Sequence, residues 1–225
     1  MVDGAASEWI PIISGVPQGS VLGPLLFILY TIEMFVMVEN SQYAYADDST
    51  LLLAVRKPAD RPAVAASLNR DLARIQEWCN RWCMMLNPHK IKALVISRSR
   101  TVNPPGGDLV LSGVSIRANA NLDILGVKFD SKPTFEDHMH HIVCRVSQRI
   151  SILRLVKRIF VDTSVLLRCY SALVLPILEC CSLTWGSSAE CHHQLLKRQV
   201  YSVARLSPDQ NFLSLCYRRT RYRPG

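Results

Sequence analysis

Two adjacent acidic residues, Asp47 and Asp48, separate two short runs of strand-forming residues and restrict this part of the chain to a tight hairpin. The flanking runs are residues 42–45 and 49–55. Neighbouring side chains of a strand point to opposite faces, whereas two side chains at a turn can approach one point. Like charges so close repel unless a cation offsets them. The pair therefore favours a divalent metal site, although Asp is also common in ordinary turns.

The composition is that of a folded basic protein. The 225 residues are 49% hydrophobic and 20% charged, and the net charge is +8. The hydrophobic fraction is sufficient for a core and excludes a disordered composition. The basic balance favours polyanionic partners, either nucleic acid or an anionic membrane surface, but it also fits a merely basic soluble protein.

The eight cysteines indicate reduced thiols rather than disulfides. The N-terminus shows no signal peptide, so we expect an intracellular protein of the nucleus or cytoplasm. Cys79 with Cys83, and Cys191 with His192 and His193, could in principle bind zinc. Tetrahedral zinc sites usually have tighter paired spacing, so structural thiols are the favoured interpretation.

Residues 21–38 are nearly all apolar and resemble a membrane span. The run is slightly short for a span, begins with Gly23-Pro24 and contains Glu33. A buried core helix, capped by Ser20, is therefore favoured, and no stable membrane insertion is expected. A membrane-associated or interaction protein that uses this segment stays as an alternative.

The remaining pattern predicts an α+β chain. An amphipathic helix extends to about residue 86, residues 93–97 and 123–129 read as strands, and Ser112-Gly113 turns a hairpin. Beyond residue 132 the pattern is helical, and Pro176 kinks or ends one helix. One apolar stripe of this region consists of Ile142, Val146, Ile150 and Leu153. The expected parts are residues 1–131, a helical region 132–208 and a disordered basic tail 209–225.

Four ordered blocks closely resemble the reverse transcriptases of non-LTR retrotransposons. They are Gly15-Val16-Pro17-Gln18-Gly19-Ser20-Val21-Leu22-Gly23-Pro24-Leu25-Leu26-Phe27, Tyr45-Ala46-Asp47-Asp48, Trp82 through Asn87-Pro88-His89-Lys90, and Leu125-Gly126-Val127. The later Tyr170, Pro176-Ile177-Leu178 and Trp185-Gly186 are similar to the region after the palm in jockey-like elements. The resemblance covers residues 15 to about 208, and four blocks in order are highly specific.

The resemblance implies a fold and an activity. The fold would be α+β, with a partial palm of antiparallel sheet and packed helices over residues 1–131 and an all-α, thumb-like region over 132–208. The activity would be RNA-directed DNA polymerase, with Mg²⁺ or Mn²⁺ as cofactor. The partners would be an RNA template, a DNA primer and deoxynucleoside triphosphates.

The resemblance also implies roles for the residues of the palm blocks. Asp47 would bind catalytic metal with Asp48 beside it, and Lys90 would protonate the pyrophosphate as a general acid. The residues near the nucleotide, template or primer end would be Tyr45, Gln18 and Gly19. An ordinary strand tyrosine and a solvated lysine are the alternatives for Tyr45 and Lys90.

Two further sets would contact the primer and the duplex. Leu125 and Gly126 resemble the primer grip, where small residues allow the primer backbone to approach. The basic residues of the helical region would hold the phosphates of the duplex, or would form a merely solvated face. These are Arg145, Arg149, Lys157 and Arg158.

The family places another aspartate block and the fingers domain before the block that begins at Gly15. Asp3 and Glu8 match no such block. We therefore expect a truncated fragment that lacks one palm carboxylate, exposes apolar surface and has little activity by itself. The other interpretation is a non-catalytic, basic, nucleic-acid-binding remnant of a retrotransposon.

Overall fold

Contacts divide the chain into two compact units. The computed structural model describes residue 11 and residues 15–97, 108–159 and 162–207. The first unit spans Met1–Ile91 and Pro105–Arg117, and the second spans Lys92–Pro104 and Ala118–Gly225. The palm and thumb boundary near residue 132 stays a prediction, and the predicted disordered tail lies outside the described residues.

The described residues form seven α-helices and eight strands. The helices are α1 (Gly23–Met37), α2 (Arg61–Arg81), α3 (Glu136–Ile159), α4 (Thr163–Leu173), α5 (Leu175–Glu179), α6 (Ser182–Trp185) and α7 (Glu190–Ala204). The strands are β1 (Ser41–Tyr45), β2 (Asp48–Leu52), β3 (Ala93–Leu94), β4 (Leu109–Leu111), β5 (Val114–Ile116), β6 (Ala118–Asn119), β7 (Asn121–Ile124) and β8 (Val127–Asp130). The predicted α+β class is confirmed.

The strands pair two by two. The described strands form four two-stranded sheets, of which β1–β2, β4–β5 and β7–β8 are antiparallel and β3–β6 is parallel. A single antiparallel palm sheet is thus not seen among these strands. The prediction of one strand over residues 123–129 is wrong, because Leu125 and Gly126 have φ of 49° and 83° and turn the chain between β7 and β8. Two consecutive left-handed residues make a tight hairpin turn.

The predicted burial of α1 is wrong. The helix begins at Gly23 with Leu22 at the N-cap position, so Ser20 is not the N-cap residue itself, although its Oγ accepts a hydrogen bond from Gly23 N at 3.1 Å. Only Gly23 and Thr31 are buried along the helix, and Ile28 and Leu29 are 57% and 58% exposed. A helix that is apolar on all sides needs neighbours on all sides, and α2 covers only one. No helix in the described part of the chain is long and apolar enough to cross a membrane.

One carboxylate fastens α1 to α2. The Glu33 Oε2 accepts hydrogen bonds from Trp78 Nε1 at 3.1 Å and Trp82 Nε1 at 2.9 Å. Its Oε1 lies 3.3 Å from Arg81 Nη1. The Tyr30 hydroxyl donates to the Trp82 carbonyl at 2.7 Å, which satisfies an acceptor that the helix end leaves open. Glu33, the charged residue inside the apolar α1, therefore attaches this helix to one specific place on α2.

The α2 helix ends earlier than predicted, at Arg81 rather than near Leu86. Cys83 takes a left-handed backbone with φ of 56°, and Met84 N donates to the Cys79 carbonyl at 2.8 Å. This six-to-one hydrogen bond is the Schellman motif, which usually has glycine at the left-handed position. The spacing of apolar residues continues beyond Arg81, so it predicted a longer helix. Such spacing does not reveal that Cys83 has a left-handed backbone that ends the helix.

The core of the second unit follows the predicted stripe of α3. Its four residues are at most 4% exposed, and α3 packs against α4, α5 and α7 around them. The predicted break at Pro176 is confirmed, because α4 ends at Leu173 and Pro176 lies in the first turn of α5. The other large buried side chains of this core include Met139, Tyr170, Trp185, Leu196 and Val200.

Two polar residues join β8 to the start of α3. The Asp130 carboxylate accepts hydrogen bonds from Thr134 N, at 2.8 Å, and Phe135 N, at 2.7 Å. Burial alone would raise the pKa of Asp130, but the hydrogen bond from the Thr134 hydroxyl, at 2.7 Å, together with the backbone donors outweighs burial and holds the pKa below its ordinary value. The Nδ1 of the buried His138 accepts from Lys128 N at 3.3 Å, and burial lowers the pKa of this imidazole.

Replacement of Glu33 by alanine tests the fastening of α1 to α2. The Trp78 indole is 1% exposed and would keep a buried N–H without an acceptor. Such a loss costs about 1–3 kcal/mol. We expect Glu33→Ala to lower the free energy of urea unfolding by that amount and Glu33→Gln to retain part of it. The exposed Glu77→Ala on α2 is the control, and an equal loss there would contradict the role of Glu33.

Candidate functional site

The two adjacent carboxylates lie at the tip of the β1–β2 hairpin, as predicted. Tyr45 pairs with Asp48 in the antiparallel register, so Ala46 and Asp47 form a two-residue loop. Ala46 has φ of 52°, a left-handed backbone that glycine or asparagine adopts more easily. Asp47 and Asp48 are both exposed. The tight loop thus presents two carboxylates from consecutive residues to solvent.

An exposed aromatic face accompanies the carboxylates. Tyr43 and Tyr45 alternate along β1 onto one side of the hairpin, and their exposed fractions are 61% and 68%. On the strand pair, the Gln42 Nε2 donates to Ser49 Oγ at 2.7 Å and ties β1 to β2. The side of the hairpin that carries Tyr45 is therefore open to a ligand with a flat face.

The α2 helix holds the chain immediately before β1 through Asp71. This carboxylate is fully buried and accepts hydrogen bonds from Glu39 N at 3.0 Å and Asn40 N at 3.1 Å. Arg74 reaches Asp71 at 3.4 Å and Glu39 at 2.7 Å. The backbone at Glu39 and Asn40 is therefore fixed against α2, and β1 begins at the next residue.

The hydrogen bonds keep Asp71 ionised. Burial alone would raise the pKa of this carboxyl, but the donors on Glu39 and Asn40, together with the nearby Arg74, outweigh burial. The pKa is held below its ordinary value of 3.8. Asp71 thus acts as a charged structural anchor rather than as a titrating group at neutral pH.

The other predicted palm residues lie in separate turns of the first unit. Gln18 and Gly19 are exposed in the turn before α1, where Gly19 has φ of 84°. The exposed Lys90 ends a single 3-10 turn, Pro88–Lys90, that begins with the Asn87 side chain accepting from His89 N at 3.1 Å. The hairpin brings Tyr45, Asp47 and Asp48 together locally, and the roles predicted for Gln18, Gly19 and Lys90 stay predictions.

The predicted primer and duplex residues lie in the second unit. Leu125 is 51% exposed in the β7–β8 turn beside Gly126. The four basic residues predicted to hold phosphates are all exposed on α3, away from its buried stripe. They are Arg145, Arg149, Lys157 and Arg158. Their exposure leaves them available to phosphates, and their roles also stay predictions.

The donor set of the hairpin suits a hard cation. The part of the chain that the structure describes contains no group of three or more His, Cys, Asp or Glu side chains arranged for a metal. Asp47 and Asp48 provide two carboxylates, and Mg²⁺ commonly takes one or two carboxylates together with substrate phosphates and water. The two residues therefore fit a metal that a phosphate ligand helps to hold.

Sequence reasoning missed Asp71, which supports the hairpin. A signal existed, because Asp71 lies three residues after Leu68 and four before Ile75, on the apolar face of the predicted amphipathic helix. An acidic residue at such a position must find donors when the helix packs. The donors are backbone groups of residues 39 and 40, whose location depends on the tertiary fold.

Comparisons with known proteins identify the family of the chain. The family model described as "Reverse transcriptase (RNA-dependent DNA polymerase)" matches residues 1–129. The RNA-directed DNA polymerase from mobile element jockey of Drosophila melanogaster is 30% identical over 92% of this chain and 23% of its own length. The probable RNA-directed DNA polymerases from transposon BS and transposon X-element, of the same species, are 31% and 29% identical.

The chain corresponds to a small part of these proteins. The match to transposon BS covers 63% of this chain and 16% of the relative, and the match to X-element covers 86% and 21%. The chain thus spans about a fifth of the length of the curated relatives it matches. No solved structure matches the chain significantly.

Replacement of Asp71 by asparagine tests the anchor and its pH dependence. The folded pKa is lowered, so the stabilisation by Asp71 is complete above pH 3.8 and is lost as the pH falls through the lower folded value. We expect Asp71→Asn to be destabilised at pH 7 by about 1–3 kcal/mol, with a shallower loss of stability below pH 4. Urea unfolding from pH 2 to 7 measures both.

The exposed Glu77→Gln on the same helix is the matched control for Asp71→Asn. It should leave both the stability at pH 7 and the acid limb unchanged, because its carboxylate is not buried. An Asp71→Asn variant with the acid limb of the wild type would contradict the assignment.

Proposed function

The chain belongs to the reverse transcriptase family of non-LTR retrotransposons, and from this we propose that it is palm and thumb sequence of an RNA-directed DNA polymerase. The family uses divalent metal ions and binds template, primer and deoxynucleoside triphosphates. Because the chain spans about a fifth of its relatives, the activity, cofactor and partners of the whole enzyme are part of the proposal. An intracellular location, in nucleus or cytoplasm, belongs to it as well.

The observation that carries the proposal is the pair of exposed carboxylates at the β1–β2 turn. Asp47 and Asp48 would hold Mg²⁺, or Mn²⁺ in its place. A divalent cation there supplies positive charge for the triphosphate of the incoming nucleotide. Asp47 would be the main ligand, and Asp48 would be a second ligand or would strengthen the local negative charge.

The neighbouring residues would position the reactants. The exposed Tyr45 ring, directly beside the carboxylates, provides a flat apolar surface for the primer end or the nucleotide. Gln18 and Gly19 would contact the nucleotide and template base, and the left-handed Gly19 allows a close approach of the backbone. Lys90 would donate a proton to the leaving pyrophosphate.

The second unit would hold the primer and the RNA–DNA duplex. The Leu125-Gly126 turn would lie against the primer backbone, since Gly126 has no side chain to obstruct it. Arg145 and Arg149 are four residues apart on α3 and share one exposed face, and Lys157 and Arg158 continue the basic character to the helix end. Such a face binds phosphates without reading sequence.

Polymerase chemistry with two metal ions requires more carboxylate ligands than this hairpin provides. Within the described residues, no third acidic side chain joins Asp47 and Asp48 in a metal-binding group. We therefore propose that the hairpin functions with a further carboxylate of the complete enzyme and that the 225-residue chain alone extends primers poorly. A non-catalytic duplex-binding remnant is the competing function.

Metal binding at the hairpin is tested with Mn²⁺ as a paramagnetic probe. Mn²⁺ bound by Asp47 and Asp48 should broaden the backbone NMR signals of residues 45–49, and Mg²⁺ should reverse the effect by competition. The Asp47→Asn variant should weaken binding about tenfold or more, because it removes one of two charged ligands. The exposed Asp60→Asn is the control. Equal broadening in wild type and Asp47→Asn would contradict the site.

Duplex binding by α3 is tested with an RNA–DNA heteroduplex at several salt concentrations. Each lost phosphate contact should reduce the slope of log K against log salt by about 1. We expect this reduction for Arg145→Ala and for Arg149→Ala, measured by fluorescence anisotropy. Arg198→Ala, which removes an exposed arginine from α7, should leave the slope unchanged.

Primer extension on an RNA template separates the polymerase from the remnant. A longer form of the protein that supplies a further carboxylate should extend the primer with Mg²⁺, and Asp47→Asn should abolish this extension. Duplex binding without extension in that longer form would favour the remnant. Extension by the 225-residue chain alone that disappears in Asp47→Asn would overturn the proposal that this chain extends primers poorly by itself.

A further inference from the structure

Two adjacent cysteines, Cys180 and Cys181, lie in the turn between α5 and α6 of the second unit. Both are exposed free thiols. Their Sγ atoms are 3.9 Å apart, which is sulfur–sulfur contact distance. The polymerase function proposed above uses neither residue. A contact pair of accessible thiols is the arrangement from which a reversible disulfide can form.

The turn that carries the two thiols has an unusual backbone. Cys180 has φ of −57° and ψ of 119°, and Cys181 has φ of 51° and ψ of 25°. These angles are those of a type II turn, whose second central residue is normally glycine or asparagine. A cysteine in this left-handed position is conformationally unfavourable. A change of backbone conformation when the side chains react would therefore relieve this strain.

The turn is connected directly to the core of the second unit. The Cys180 carbonyl accepts a hydrogen bond from Trp185 Nε1 at 2.9 Å, and Trp185 is 1% exposed. The Cys181 carbonyl accepts from Thr184 N at 2.9 Å and begins α6. A rotation of the peptide between the two cysteines would therefore alter the partner of a buried indole.

We propose that Cys180 and Cys181 are a redox-active vicinal dithiol that closes to a disulfide by exchange with a low-molecular-weight disulfide such as oxidised glutathione. The thiolate of one cysteine attacks a sulfur of the small disulfide, forms a mixed disulfide and releases the first small thiol. The second cysteine then attacks its neighbour's sulfur and releases the second small thiol. The two protein protons leave with the two thiols, so the protein is oxidised and the small disulfide is reduced.

The charge state of the pair agrees with stepwise reaction. Slight desolvation at the turn, and then the hydrogen bond and charge interaction with Cys180, raise the pKa of the Cys181 thiol although its side chain is exposed. Two adjacent thiolates would repel, so one of the pair keeps its proton while the other reacts. The first attack therefore produces a mixed disulfide beside a thiol that is already in contact with it.

The closed ring should be easily reduced, which makes the site reversible. Consecutive Cα atoms are about 3.8 Å apart across a trans peptide, whereas disulfides usually join Cα atoms about 4.4–6.8 Å apart. Ring closure between neighbours therefore strains the peptide, and strained disulfides have more oxidising potentials. The state of the turn would follow the ratio of small thiol to small disulfide around the protein.

The closing reaction is tested on the full chain by mass spectrometry after incubation with oxidised glutathione. The peptide that contains both cysteines should lose the mass of two hydrogen atoms without gaining glutathione, and dithiothreitol should restore it. Cys180→Ser and Cys181→Ser should each stop at a stable glutathione adduct. The exposed Cys144→Ser and Cys191→Ser are matched controls and should close like the wild type.

A second measurement follows the geometry of the open state. Phenylarsine oxide bonds to two thiols at once and releases one water, so it should label the wild type and the two control variants with one equivalent that monothiols do not displace. Either cysteine replacement in the pair should abolish this retention. The NMR signal of the Trp185 indole N–H, assigned with Trp185→Phe, should shift on closure in the wild type and return on reduction.

Three results would overturn the proposal. They are a stable glutathione adduct in the wild type without ring closure, a disulfide from Cys180 or Cys181 to Cys191, and retention of the arsenical by the Cys181→Ser variant. None of these results depends on metal binding or primer extension, so the proposal fails or stands separately from the polymerase function.

Discussion

The first unit depends on two carboxylates that attach α1 and its continuation to α2. Apolar contact alone cannot fix the rotation of α1, because this helix is apolar on nearly every side and would pack equally well in several orientations. Glu33 removes that freedom by accepting both Trp78 and Trp82. Asp71 then fixes the backbone at residues 39 and 40, immediately before the strand that leads to the hairpin. Directional hydrogen bonds thus determine the rotation of α1 and the path of the chain after it, which apolar packing alone does not specify.

The second unit uses the same device at a different place. Its core is specified by the apolar stripe of α3. Because this stripe lies on one side of the helix, it determines which face packs against the neighbouring helices. The entry to α3 requires a left-handed Phe135 with φ of 56°, and Asp130 offsets this unfavourable backbone by accepting bonds from residues 132, 134 and 135. In both units an acidic side chain with backbone donors holds a connection between elements, which is the link before β1 in the first unit and the link from β8 to α3 in the second.

Sequence periodicity predicted the parts of the fold that depend on burial along one element. The α3 stripe and the β1–β2 hairpin followed from spacing and turn chemistry alone. The end of α2 and the β7–β8 turn did not, because Cys83 and Leu125 adopt a left-handed backbone that their residue types do not indicate. Ala46 in the β1–β2 turn has the same backbone, but there the adjacent acidic residues marked the turn. The exposure of α1 was also missed, because the apolar composition of a helix does not show how many other elements pack around it. Among the candidate site residues, the sequence identified the two exposed carboxylates of the hairpin turn and missed Asp71, whose hydrogen-bond partners are defined only in the folded chain.

The contrast among the acidic residues explains why the hairpin is the candidate site. Glu33, Asp71 and Asp130 each accept several hydrogen bonds, and those contacts account for their positions in the fold. Asp47 and Asp48 are exposed at a turn whose backbone would suit asparagine or glycine as well. Within the described chain, neither accepts a hydrogen bond that the fold requires. Two adjacent negative charges without a structural role repel each other in the free protein. A bound cation would remove that repulsion, which favours its binding at the hairpin.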